Sequence, residues 1–304
     1  MRSEFNAVRD LLTAFPDIGT KHEAVRQLAH DLRQVRERNT ASMWKTLIHE
    51  VIRPHPIMHL LHQDPMAYRC FHKPRGYAGD AVLLDLIYGH PHAGPLISKT
   101  TQDGRAIFAH TFACPGPQAV RNRKAILTKA LMQAAADYRN CSVLSVACGH
   151  LRELDDCDPA AFSRFVGFDQ DEQSLSEVRA RFPMAELHAA NVKRLLCPPE
   201  AWHGSFDFVY AAGLYDYLSD RFAQRLTASL LTLLRPGGRL LVANFLTGIE
   251  DTGYLEAVMD WWLIYRTTPE IEAFTRVCTS GDIASTTLFV EPNNNIAFLE
   301  VRRC

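Results

Sequence analysis

Gly149 ends one apolar run, "SVLSVACG", and Asp169 ends a second, "RFVGFD", about 20 residues later. A glycine after a buried strand lets the backbone come close to a ligand, and a helix start beyond it offers free N–H groups to an anion. An acid ending the next strand can accept hydrogen bonds from both hydroxyls of a ribose. A dinucleotide turn would carry G-x-G-x-x-G to pass a pyrophosphate, whereas His150, Leu151 and Arg152 follow Gly149, which argues against NAD or FAD. A nucleoside cofactor without phosphates needs no such set. The plainer alternatives are a structural glycine and an aspartate that caps a helix, but Asp171 stands at the cap position and releases Asp169. Asn191 follows a third strand, where its amide suits an adenine edge or simply a turn. Gly213, Tyr215, Asp216 and Tyr217 follow a fourth, where they would face a substrate unless the aromatics pack against a helix.

These residues need a sheet that gathers their strand ends. The runs "SVLSVA", "RFVGFD", "AELHAA", "FDFVYAAG" and "RLLVANF" alternate with helical segments, the grammar of right-handed βαβ units. At the end, "STTLFVE", "PNNN" and "IAFLEVRR" read as strand, turn, strand, too tightly joined for a parallel crossover. The expected fold class is α/β: a doubly wound, mostly parallel seven-stranded sheet with an antiparallel C-terminal hairpin and an N-terminal helical cap. Residues 1–115 carry apolar side chains at helical spacing, for example Ala24, Val25, Leu28, Leu32 and Val35. The helix "DAVLLDLIYG" is entered at Asp80 and ended by Gly89. "ACPGPQ" marks the boundary, giving a cap or lid domain over 1–115 and a Rossmann-like domain over 116–304. The segment "YLEAVMDWWLIYRTTPEIEAF" reads as helix. Adjacent tryptophans on a helix point about 100° apart, so Trp262 is a candidate substrate contact. Arg266 suits a substrate carboxylate or a salt bridge.

The chain of 304 residues is 47% hydrophobic and 22% charged, ordinary for a globular enzyme. Its formal net charge of −1 gives no footprint for nucleic acid or an anionic membrane. Eight cysteines include no C-x-x-C pair, and no run is long enough to span a membrane. The expectation is a reduced, cytoplasmic protein acting on a small molecule, with room for a homodimer. His55, His59 and His62 share a helical spacing but meet the needs of a metal only loosely, and no metal is expected.

Taken together, "VLSVACG", "FVGFDQDEQSL", "AANVKRL", "FDFVYAAGLYDYL" and "LLTLLRPGGRLLVANF" resemble the motif series of class I S-adenosylmethionine-dependent methyltransferases over about residues 117 to 304. The resemblance implies S-adenosylmethionine as cofactor. Ala147 and Gly149 would hold its amino-acid part, Asp169 its ribose, Asn191 and Gln170 its adenine, with Gly213 beside it. The loop after Gly149 has fewer glycines than the family's, so Arg123 is the candidate for the cofactor's carboxylate. "KPRGYAGDAVLLDLIYG" and "AVRNRKAIL" resemble a bacterial subgroup tied to 3-hydroxy-fatty-acid methyl ester biosynthesis, which implies that Tyr77 and its loop lie near the cofactor. A carboxylate acceptor needs no base. For an amine or hydroxyl the candidates are Tyr215, Asp216 and His110. The alternative reaction on the same cofactor is intramolecular cyclisation to azetidine-2-carboxylate and methylthioadenosine. A dehydrogenase and a non-catalytic S-adenosylmethionine-binding subunit are the remaining alternatives.

Overall fold

The computed structural model describes residues 2–15 and 21–304. Contacts divide the chain into two units, residues 1–121 with 248–262, and residues 122–247 with 263–304. The division differs from a single cut at 115 because a late segment packs among the early helices.

The first unit is helical, as its periodicity predicts. The helix Lys21–Arg38 turns Val25, Leu28, Leu32 and Val35 into the core. The helix Ala81–Tyr88 starts where expected: the Asp80 carboxylate accepts from the Leu83 amide at 2.8 Å, satisfying one orphan donor. The late segment joins this core through its backbone. A Cβ on Gly253 would sit 2.5 Å from the Leu32 carbonyl carbon, so only glycine permits the approach. Glu256, buried beside it, accepts from Arg36 at 2.7 and 2.9 Å and from Trp44 Nε1 at 2.7 Å.

The late segment is not the single helix its pattern suggests. Helix covers only Thr252–Ala257 and Thr268–Glu272, and residues 260–265 between them are irregular. Asp260 adopts a left-handed φ of 50°, which ends the helical run. Its carboxylate is held by Arg53, Lys73 and Trp262 Nε1, which together outweigh burial and lower its pKa.

The second unit is built on seven strands: β1 Cys141–Val146, β2 Phe162–Asp169, β3 Glu186–Ala189, β4 Phe206–Ala211, β5 Leu234–Phe245, β6 Ile283–Val290 and β7 Ile296–Arg303. Their order is β3-β2-β1-β4-β5-β7-β6. β1 to β5 run parallel, and β7 lies antiparallel between β5 and β6. β1 and β4 are buried along their whole length, which explains their continuous apolar runs. Strand order reverses between β1 and β4, the place where open sheets of this kind bind ligands.

Candidate functional site

The loop after β1 carries three left-handed residues in alternation: Ala147 at φ 55°, Gly149 at 54° and Leu151 at 50°. Such conformations cost little for glycine and about 1–2 kcal/mol for residues with a Cβ. The shortage of glycine in the sequence is therefore no shortage of glycine-like backbone. Two strained residues keep the shape because the surroundings impose it, a pattern concentrated at functional sites. Cys148 donates its amide to the Phe168 carbonyl at 3.2 Å, and Leu151 to the Cys148 carbonyl at 3.1 Å.

Asp169 is the chief brace. Its side chain accepts from the Gly149 amide at 2.8 Å and from the Asp171 amide at 2.9 Å, one on each oxygen. Burial pushes its pKa up, against the pull of these amides. A carboxylate has about four acceptor sites, so these amides leave capacity for a ligand hydroxyl. Asp171 caps the helix Glu172–Arg181 through the Gln173 amide at 3.0 Å, the division of labour the sequence suggested. Gln170 and Asn191, both exposed, meet across the ends of β2 and β3: Asn191 Nδ2 donates to Gln170 Oε1 at 3.2 Å. Asn191 also caps the turn Val192–Leu196 by accepting from the Lys193 amide at 3.0 Å, so its turn role is real.

Arg123 lies in the helix Pro115–Asp137 and is 5% exposed. Its guanidinium reaches the end of β4, where a Cβ on Gly213 would stand 3.5 Å from Nη2. Among the described residues it has no hydrogen-bond or ion-pair partner. Its influence is felt at a distance, lowering the pKa of Asp216 and of Glu153 against their burial. A charged group desolvated this far and left unpaired is costly in a folded chain.

Other expected site residues turn out to be framework. Tyr215 is fully buried, its hydroxyl 2.9 Å from Thr227 Oγ1 and its ring against Phe274, so it packs the core instead of facing a substrate. Arg266 uses all five donors on the protein: Nε and Nη2 reach Asp220 at 3.0 and 2.8 Å, Nη1 reaches the Tyr215 carbonyl and Asn244 Oδ1 at 3.0 and 2.6 Å, and Nη2 also reaches the Leu218 carbonyl at 2.5 Å. No donor remains for a substrate carboxylate. Trp262 is half-buried and belongs to the first unit, where it serves Asp260 and lies under Lys45 Nζ. Asp216 is buried with Oδ1 accepting from the Phe245 amide at 2.6 Å, and burial raises its pKa to about 6.

His110 and Tyr77 also fall in the first unit. Tyr77 is half-buried in the loop before Asp80. His110 lines a small pocket whose wall includes Met66, Cys114, Asp251 and Tyr254. Its Nε2 lies 3.4 Å from Cys114 Sγ. Asp251 accepts from the Gly116 amide at 2.6 Å and is pushed up to about 6 by burial.

Sequence reasoning missed a buried pair behind the loop of the second unit. Tyr210, on β4, donates its hydroxyl to Glu153 Oε1 at 2.6 Å, and burial raises both pKa values. The charged string "RELDD" so soon after Gly149 was the available signal, since charges beside a buried loop need partners.

Residues 143–238, about a third of the chain, match the family model of a methyltransferase domain. The parallel strands β1 to β5 carry that match, and the antiparallel pair β6 and β7 lies beyond it. Among solved structures, a possible exported protein from Bordetella parapertussis is similar at 16% identity, over 81% of this chain and 95% of that one, with a TM-score of 0.56. A polyketide synthase CMeT domain for citrinin is 17% identical over 85% and 69%, with a TM-score of 0.49. Magnesium protoporphyrin IX methyltransferase from Synechocystis PCC 6803, with bound S-adenosylhomocysteine, is 14% identical over 70% and 94%, with a TM-score of 0.48. No curated protein matches the sequence. The methyltransferase fold accounts for the match beginning at β1 and ending at the turn within β5.

Proposed function

We propose that the chain is an S-adenosylmethionine-dependent methyltransferase that acts on a small molecule through a carboxylate, amine or hydroxyl. The observation that carries the reading is Arg123, a buried guanidinium with no hydrogen-bond or ion-pair partner among the described residues, at the switch point of the sheet. A carboxylate there would satisfy it, and the methionine end of the cofactor supplies one. Asp169 would take the ribose hydroxyls while bracing the loop, and Gln170 with Asn191 would border the adenine. The left-handed alternation of 147, 149 and 151 lets the chain pass close to the amino-acid part.

When bound, the cofactor supplies an electrophilic methyl group on a sulfonium. The protein's share is to orient it and to keep water away. Asp216 is the group best suited to take a proton near neutrality, because its pKa of about 6 leaves it ionised but basic at pH 7.

Calorimetry with S-adenosylmethionine tests the cofactor, and mass spectrometry of the spent cofactor tests the reaction. S-adenosylhomocysteine formed with an acceptor supports methyl transfer, and methylthioadenosine formed without one replaces it by cyclisation. Asp169→Ala is expected to weaken binding by about 1–3 kcal/mol. Unchanged affinity removes Asp169 from the cofactor site.

A further inference from the structure

The turn after the helix Ala81–Tyr88 gathers three side chains of metal-ligand type, none of them given a role above. Asp85 lies near the end of that helix and is buried, His90 is half-buried, and His92 is exposed. One ligand atom from each lies within 4.8 Å of the other two. The backbone fixes this approach. Gly89 turns left-handed at φ 64°, the His90 amide donates to the Asp85 carbonyl at 2.9 Å, and the Ala93 amide returns to the His90 carbonyl at 2.9 Å across Pro91. The two imidazole rings stand 5.1 Å apart at 79°.

We propose that Asp85, His90 and His92 form a binding site for one divalent transition-metal cation of the zinc type. Two imidazole nitrogens and a carboxylate oxygen suit Zn²⁺, and Co²⁺ or Ni²⁺ nearly as well. With bonds of about 2.0–2.1 Å, tetrahedral ligand atoms lie roughly 3.3 Å apart. Each pair must therefore draw together by at most about 1.5 Å. The His92 amide donates to His90 Nδ1 at 3.3 Å, a long bond that ligation through that nitrogen would replace. Three protein ligands leave a fourth position for water. The trio differs from the histidines that the sequence pattern singled out, of which His55 meets Thr13 and His62 donates to the Val258 carbonyl. A plain ion pair between the carboxylate and the imidazoles would also bring these side chains together, and metal dependence separates the two readings.

The test uses the full, untagged chain stripped with a chelator. Zn²⁺ is titrated against a chromogenic chelator, and Co²⁺ is followed by its visible absorption. The expected result is one saturable equivalent per chain, lost in His90→Gln/His92→Gln. Both substituted side chains are at least partly exposed, so this variant should fold, and circular dichroism checks that it does. Asp85→Asn should lose the same equivalent. No saturable equivalent, or one that the double variant retains, overturns the proposal. Neither result depends on S-adenosylmethionine binding.

Discussion

Two buried arginines of the sheet unit, Arg123 by the end of β4 and Arg266 by the end of β5, have opposite surroundings. Arg266 meets carbonyls, an amide oxygen and a carboxylate with every donor. Arg123 is almost as buried and meets none among the described residues. Both act on Asp216, lowering its pKa against burial. A guanidinium whose partners are all internal ties loops to the sheet, and under the proposed function the other one answers to a ligand carboxylate.

Substitution at Arg266 should break this contrast most visibly. Arg266→Leu leaves two carbonyls and Asn244 without donors, and chemical denaturation should show a loss of about 3–5 kcal/mol. Asp216, which both arginines influence, gives the next largest effect. Its folded pKa of about 6 lies above the ordinary 3.8, so the protonated form is favoured in the fold. The stability it contributes is full below pH 3.8 and is lost as pH rises through about 6, at most about 3 kcal/mol. Asp216→Asn keeps an acceptor for the Phe245 amide and should flatten that part of the stability curve. An unchanged slope would mean that Asp216 ionises freely.

Arg123→Leu sharpens the contrast from the other side. Stability should stay within about 1 kcal/mol of the parent or rise, while S-adenosylmethionine affinity falls about 10- to 100-fold, the range for a charged hydrogen bond. A stability loss like that of Arg266→Leu would make Arg123 part of the framework. The smallest effect is at the loop. Ala147→Gly relieves a left-handed residue and should stabilise the fold by about 1 kcal/mol in thermal melts. A loss instead would mean that the alanine methyl packs where its exposure says it does not.

Much of this was legible in the chain. The continuous apolar runs at 142–147 and 206–211 marked strands buried on both faces, and the tight "PNNN" link forced an antiparallel end. Asp171 announced itself as a cap and so freed Asp169. The loop after β1 was harder, because glycine count stood in for backbone shape, and Ala147 and Leu151 hold that shape without it. Arg266's full set of partners was unreadable because they lie 22 to 51 residues away along the chain. The segment 258–266 misled because its apolar spacing fits a helix, whereas Asp260, seized by Arg53, Lys73 and Trp262, stops one.

The sequence by itself determined the order of strands and helices, since period and punctuation are local properties of neighbouring residues. It also set the residue types available at each strand end. Only the tertiary structure decided which charges are satisfied, because partners distant along the chain meet only when the sheet is assembled. That is why Arg266 became framework, why Arg123 is buried without a hydrogen-bond or ion-pair partner among the described residues, and why a carboxylate and two histidines around Gly89 came within reach of one another.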